Sequence, residues 1–167
     1  MMGAKELWKS SAPPKVKFFF WLALHGRLWT ADRRKRHGLQ DSDACALCNQ
    51  SAETIDHLFV ACVYTRDRET WWRVLHRLQL DELAPALIDE LRTRWFQARA
   101  RLPGAMSKAF DSLVLLVTWC IWKERNRRVF DGVQIQASLM LEQIALEGSA
   151  WVDAGFKALA LLLAWHR

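Results

Sequence analysis

Cys45, Cys48, His57 and Cys62 follow one another as Cys-x2-Cys-x8-His-x4-Cys, four soft or borderline donors within eighteen residues. That Cys3His set is one that zinc takes up in tetrahedral structural sites. Two cysteines separated by two residues can aim both sulfurs inward from one tight turn, a knuckle, while His57 and Cys62 come from a segment that folds back over it. On an ideal helix, positions five apart sit roughly 140° round from one another. His57 and Cys62 therefore do not share one regular helix, and the helix is expected to end or bend near Cys62. Four protein ligands fill the coordination shell, whereas a catalytic zinc keeps a position for water or substrate. The sequence thus predicts one structural Zn2+ and no catalytic residue. The bland alternative is three ordinary buried thiols and a hydrogen-bonded core histidine. Cys120, in an apolar run, reads as an inert core thiol, and His25, His37, His76 and His166 have no comparable neighbours in sequence.

The second chemistry-bearing feature is charge. The net charge is +6, yet residues 1–40 carry nine Lys/Arg against two Asp/Glu and the remainder fifteen against sixteen, so the whole positive excess lies at the start. A localised basic excess attracts phosphate backbones. Lys15, Lys17, Arg27, Arg33, Arg34, Lys35 and Arg36 are the candidate phosphate contacts for RNA or DNA, with Trp29 available for stacking. Such binding is salt-sensitive and weakly sequence-selective. The competing readings of the Arg33-Arg34-Lys35-Arg36 run are a solvated helix face and a nuclear-import signal. Arg125, Arg127 and Arg128 can be read as positive charge placed near a helix C-terminus, where the dipole favours it.

These groups need elements to position them. A chain of 167 residues with 51% hydrophobic content, 10 Trp and 8 Phe has the size and apolar material for an aromatic-rich core. No alternating strand pattern of useful length occurs, and the fold class is read as mostly α: a small helical domain with a CCHC zinc knuckle (6–80), followed by a helical C-terminal part (81–167). Pro13-Pro14 and Gly26 bracket a first helix over 15–25, apolar nearly all round and so expected to be buried between neighbours. Thr30 as cap and Gly38 as left-handed stop bracket a short basic helix over 31–37. Residues 39–52 read as a turn feeding a helix that Thr54 caps. Apolar spacing at Trp71, Trp72, Leu75 and Leu78, and again at Leu83, Leu87, Ile88, Leu91, Trp95 and Phe96, predicts amphipathic helices. After the break at Leu102-Pro103-Gly104, a long helix over 106–130 and a final one over 135–166 are expected, with Asp131-Gly132 between them. The longest apolar runs, 113–122 and 158–165, fall short of the ~20 residues of a membrane span, and no export signal opens the chain. The expected setting is intracellular, nuclear or cytoplasmic, with no membrane partner, and three clustered cysteines read better as ligands than as disulfides.

With these residues in place, a family resemblance emerges. The strings LWKSSAPPKVKFFFWLALHGRLWTADRRKRHG, CALC and ETIDHLFVACVYTRDRETWW resemble the zinc-binding domain at the C-terminal end of plant non-LTR (LINE-type) retrotransposon reverse transcriptases. The resemblance rests on Trp8, Pro13-Pro14-Lys15, Trp21, Thr30-Ala31-Asp32, both knuckle cysteines, Glu53-Thr54, His57-Leu58-Phe59 and Cys62, and TWCIWKERNRRVFDG is similar to the tail that follows that domain. It implies a zinc-bound module accompanying an element-encoded polymerase. The polymerase motif Tyr-x-Asp-Asp is absent, because Tyr64 is followed by Thr65, Arg66 and Asp67. Acidic residues alternate with basic ones, as in Arg66-Asp67-Arg68-Glu69, instead of forming the carboxylate set of a two-metal nuclease. The middle spacer of eight residues is longer than the four of the retroviral-type knuckle, so base recognition by that knuckle does not carry over. Two functions follow as expectations: a non-enzymatic nucleic-acid-binding module, or a helical protein–protein interaction protein with a structural zinc, using segments that contain Trp119, Trp122, Trp151 and Trp165.

Overall fold

The computed structural model describes residues 3–66, 70–86 and 89–163. The charges at Asp67, Arg68 and Glu69, the apolar positions Leu87 and Ile88, and Trp165 and His166 lie outside the described residues. The fold is mostly α, and among the described residues the only sheet-like pairing is an isolated antiparallel bridge between Ala44 and Ala52.

A short helix α1 (Ala4–Lys9), with no counterpart in the sequence reading, precedes α2 (Pro14–Leu24). Pro14 sits at the first position of α2, where its missing N–H costs nothing. The helix α3 (Ala31–Arg36) begins where expected, but Thr30 does not cap it through its side chain. The Thr30 hydroxyl donates to Asp32 Oδ1 at 2.5 Å, and the free Ala31 N–H is taken instead by Glu53 Oε1 at 2.8 Å. Thr54 does act as expected, its Oγ1 accepting from the His57 N–H at 3.0 Å.

Beyond the knuckle come α4 (Val63–Arg66), α5 (Trp71–Arg77) and a 3-10 turn (Asp81–Leu83). The apolar series from Leu83 does not make one helix. Pro85 interrupts it, and α6 (Leu91–Ala100) starts only at Leu91, whose N–H is held by Asp56 Oδ1 at 2.9 Å. The long helix α7 (Gly104–Asn126) ends in a wider π-type turn (Arg127–Asp131). The last predicted helix is broken: α8 (Ala137–Asp153) stops before Gly155, and after a 3-10 turn (Lys157–Leu159) the chain resumes as α9 (Ala160–Leu163). Gly155 has φ 104°, a region costly for residues with a Cβ, so periodicity carries on through a position where the backbone reverses.

α7 is the spine. It packs against α2, α6, α8 and α9 and against the turn that carries His57, and one continuous cluster of buried side chains runs from Leu7 to Leu162. Edge-to-face rings fill its centre, Phe20 on Trp95 at 5.3 Å and Phe19 on Phe59 at 5.9 Å. The buried carboxylate of Asp111 on α7 accepts from Trp95 Nε1 at 2.7 Å and from Arg99 at 2.8 and 2.9 Å, so its burial carries no unpaired charge. The segment Gly104–Asp131, 28 residues, is long and apolar enough to cross a membrane by length and composition. Counting uninterrupted apolar runs misses this because Lys108 and Asp111 divide them. In this fold 72% of its most apolar window is buried against other helices.

Candidate metal centre

The knuckle is built by backbone pairing on either side of its cysteines. Cys45 N–H donates to Ser51 O at 2.8 Å, Glu53 N–H to Asp43 O at 2.7 Å, and Asn49 N–H back to Cys45 O at 2.8 Å. Asn49 has φ 55°, a left-handed turn that asparagine tolerates better than most residues. The Gln50 N–H points at Cys48 Sγ from 3.4 Å.

The other two ligands solve the five-residue problem with a change of helical winding. His57–Ala61 forms a π-type turn, closed by the Cys62 N–H donating to His57 O at 2.7 Å, and Cys62 itself is extended. The wider turn brings residue five back over residue zero, which a regular helix does not do. The bend expected near Cys62 is therefore present, and its form is a widened turn.

The four ligand atoms lie within 4.8 Å of one another. Cys45 Sγ and Cys62 Sγ are 4.0 Å apart, and Cys48 Sγ and His57 Nε2 are 3.3 Å apart. A tetrahedron with Zn–S of about 2.3 Å and Zn–N of about 2.0 Å places its donors roughly 3.5–3.8 Å apart, so the set fits zinc. The protonation chemistry agrees. Cys62, donating to Cys45, helps pull the Cys45 thiol down to about 4. In return the Cys62 thiol is pushed up, chiefly by that bond and then by burial. Two buried thiolates this close need a cation between them, and zinc supplies the charge that lets both ionise. Cys120 is remote from the cluster, and burial pushes its thiol up to about 12, as befits an inert core residue.

Behind the ligands lies a charged network that the sequence reading does not identify. Glu53 is fully buried; its Oε1 accepts from the Ala31 N–H and from Arg125, at 3.0 Å to Nε and 2.8 Å to a terminal nitrogen, and its Oε2 accepts from Ala46 N–H at 3.3 Å. Arg125 also donates to Trp29 O at 3.1 Å. Glu124, likewise fully buried, accepts from Arg127, Arg128 and the Ile135 N–H. Arg128 then donates to Leu47 O at 3.1 Å and Ala46 O at 3.4 Å, the two carbonyls between Cys45 and Cys48, while its guanidinium lies 4.7 Å from the Tyr64 ring. Arg125 and Arg128 are thus clamps on the zinc knuckle, and not only positive charge for a helix dipole as the sequence suggests. The available signal is the run Lys-Glu-Arg-Asn-Arg-Arg following an apolar helix.

The basic candidates separate into two groups. Lys15 and Lys17 lie on the first turn of α2, Lys15 with its Nζ 5.8 Å from the Trp119 ring and Lys17 donating to Trp8 O at 3.1 Å. Past the other end of α2, Arg33 donates to the carbonyl of Arg27 and stacks 4.0 Å from the Trp29 ring. Arg34 is tied to Gln40 at 2.8 Å, Lys35 pairs with Asp43 at 3.7 Å and Arg36 with Asp32 at 3.9 Å. Arg27, Lys35 and Arg36 remain exposed. Trp29 is 42% exposed, with Arg33 over its ring and the His37 ring edge-on to it at 5.3 Å.

Comparison with known proteins agrees with this geometry. Residues 2–76 match the family described as "zinc-binding in reverse transcriptase". Over 125 residues, 74% of this chain, the sequence is 26% identical to a protein of Arabidopsis thaliana whose name calls it a ribonuclease H protein; the matched stretch spans 19% of that relative. No solved structure matches. The centre formed by Cys45, Cys48, His57 and Cys62 is a structural zinc site.

Proposed function

We propose that this chain, whose residues 2–76 match the reverse-transcriptase zinc-binding family, is a retrotransposon-derived, zinc-stabilised module that binds nucleic acid without catalysing a reaction. The observation that carries the reading is the placement of Arg27, Lys35 and Arg36, exposed on and beside a helix whose start is fixed to the zinc knuckle through Glu53. Zinc folds the knuckle, Glu53 holds α3 on it, and α3 holds out positive charge. A zinc with four protein ligands has no open position for substrate, which supports a structural role. The ribonuclease H name belongs to a relative of which this chain spans a fifth, and it assigns no activity here.

The test is fluorescence anisotropy of a labelled single-stranded oligonucleotide with zinc-loaded protein at increasing salt. Affinity is expected to fall steeply with salt, and Arg27→Ala, Lys35→Ala and Arg36→Ala together are expected to flatten the slope by roughly 0.7 for each phosphate that is no longer neutralised. An unchanged slope in the folded, zinc-loaded variant removes this surface from the reading.

A second reading has its own observation. Leu139 and Leu146 on α8 are 45% and 67% exposed, two turns apart on one face of the helix, which favours a protein partner on that side. A stable complex or oligomer that forms without nucleic acid, and is lost in Leu146→Glu, would carry that reading.

A further inference from the structure

The helix α2 carries an aromatic row on its outer side, with Phe18 and His25 exposed and Trp21, half-buried and packed against the edge of the core, between them. Phe19 and Phe20 are buried, yet the adjacent Phe18 is 56% exposed. The sequence reading expects this helix to be buried nearly all round, but α7 and α1 pack against it and leave Phe18 exposed. On the open side, Phe18, Trp21 and His25 follow one another at helical spacing. The Phe18 and Trp21 rings lie nearly parallel, 6.1 Å apart with 10° between their planes, and the Trp21 and His25 rings are 4.1 Å apart. His25 Nδ1 is bonded to Trp21 O at 2.8 Å, which fixes the last ring in place. Single exposed apolar residues are ordinary on protein surfaces; three adjacent rings, one pair nearly parallel and the next tilted by 37°, are a more specific arrangement.

Charge completes the pattern. α2 contains no acidic residue, its first turn carries Lys15 and Lys17, and Arg27 is exposed just past its other end. Lys17 is held at the start of α2 by its bond to the backbone carbonyl of Trp8. Aromatic faces flanked by cations are what successive bases and phosphates of a single strand need. In a duplex the bases are already stacked on one another and offer no free faces to these rings. A protein partner would have to neutralise the lysines, and it stands as an alternative outcome of the test.

We propose that the outer face of α2 is a stacking platform for single-stranded nucleic acid, with bases on Phe18, Trp21 and His25 and phosphates on Lys15, Lys17 and Arg27. The proposal rests on the nucleic-acid reading above and deepens it, by giving the strand a location and a mode of contact. Phosphate attraction alone treats an abasic strand like an ordinary one. Stacking does not.

The experiment compares zinc-loaded full chain binding to an oligothymidine of about fifteen nucleotides and to an abasic strand of the same length and charge. Wild type is expected to prefer the oligothymidine by about 10-fold or more, and Phe18→Ala and Trp21→Leu to lose about 5- to 100-fold on that strand while keeping their affinity for the abasic one. Phe18 is largely exposed and Trp21→Leu keeps apolar volume, and zinc content with the thermal midpoint verifies that each variant is folded. If wild type binds both strands equally, or the variants bind oligothymidine as wild type does, the platform is overturned and the charge-based reading survives. If wild type binds neither strand, the nucleic-acid reading itself falls, and a nucleic-acid-independent complex lost in Phe18→Ala would assign the face to a protein.

Discussion

Glu53 and Arg125 are 72 residues apart in the chain and meet as an ion pair at 2.8 Å, with side chains 0% and 3% exposed. Removing either partner leaves the other charge buried and uncompensated, a loss of about 3–5 kcal/mol. Arg125→Met and Glu53→Gln are each expected to destabilise zinc-loaded protein by that amount in urea unfolding. The double variant should lose clearly less than the two singles combined. Simple additivity would show that the pair does not act as a unit.

Arg128 touches no metal ligand directly, but its guanidinium holds the carbonyls of Ala46 and Leu47 and so sets the curvature between Cys45 and Cys48. Groups that orient a metal's ligands typically contribute 10- to 100-fold in affinity. Arg128→Ala is expected to weaken zinc binding by about that factor, measured by competition with a chromophoric chelator. Arg127→Ala, whose side chain bonds Glu124 and not the knuckle, should leave zinc affinity within about 3-fold of wild type.

Elemental analysis is expected to find about one zinc per chain. Cys62→Ser and His57→Ala should lower this to well under one and bring down the thermal midpoint, since zinc binding and local folding are one process here. Cys120→Ser removes a core thiol distant from the cluster and keeps the zinc. Zinc retained in full by Cys62→Ser would refute the ligand set.

Glu147 on α8 pairs with Lys123 on α7 at 2.9 Å. Although burial opposes ionisation, the bonds from Lys123 and Trp151 bring its carboxyl below the ordinary 4.5. A carboxylate whose folded pKa is depressed contributes stability that is present above its unfolded pKa and is lost as pH falls through the folded one. Between about pH 6 and about pH 3 the wild type should therefore lose stability that Glu147→Gln never had, at most ~1 kcal/mol because the pair is partly solvated and screened. Parallel melting-temperature profiles for the two proteins would mean the pair contributes nothing.

The zinc ligands were legible in the sequence because a metal knuckle is local, with donor type and spacing both contained in 45–62. The need for a break between His57 and Cys62 was legible for the same reason, since it follows from helix geometry alone, although the π-type winding that answers it has no residue signature. Helix ends proved harder. Pro85 and Gly155 each override an apolar periodicity that continues past them. The partners of Glu53 and Glu124 were hidden for a different reason: a buried ion pair between distant positions leaves no pattern in either stretch. Phe18 looked like core because three adjacent phenylalanines point to different sides of a helix, and composition cannot say which side a later helix covers. The basic residues were found as a group, but the structure divides them between the two ends of α2.

Because Arg128 reaches from beyond α7 back to the turn between Cys45 and Cys48, the knuckle inherited alone would hold its zinc less tightly. A recombination or excision that carried residues 2–76 into another gene would deliver four zinc ligands with an orphaned Glu53 and two bare carbonyls. The heritable unit of a full-strength site therefore extends through Arg128, and a truncation that removed it would weaken the metal site while leaving the codon of every ligand intact.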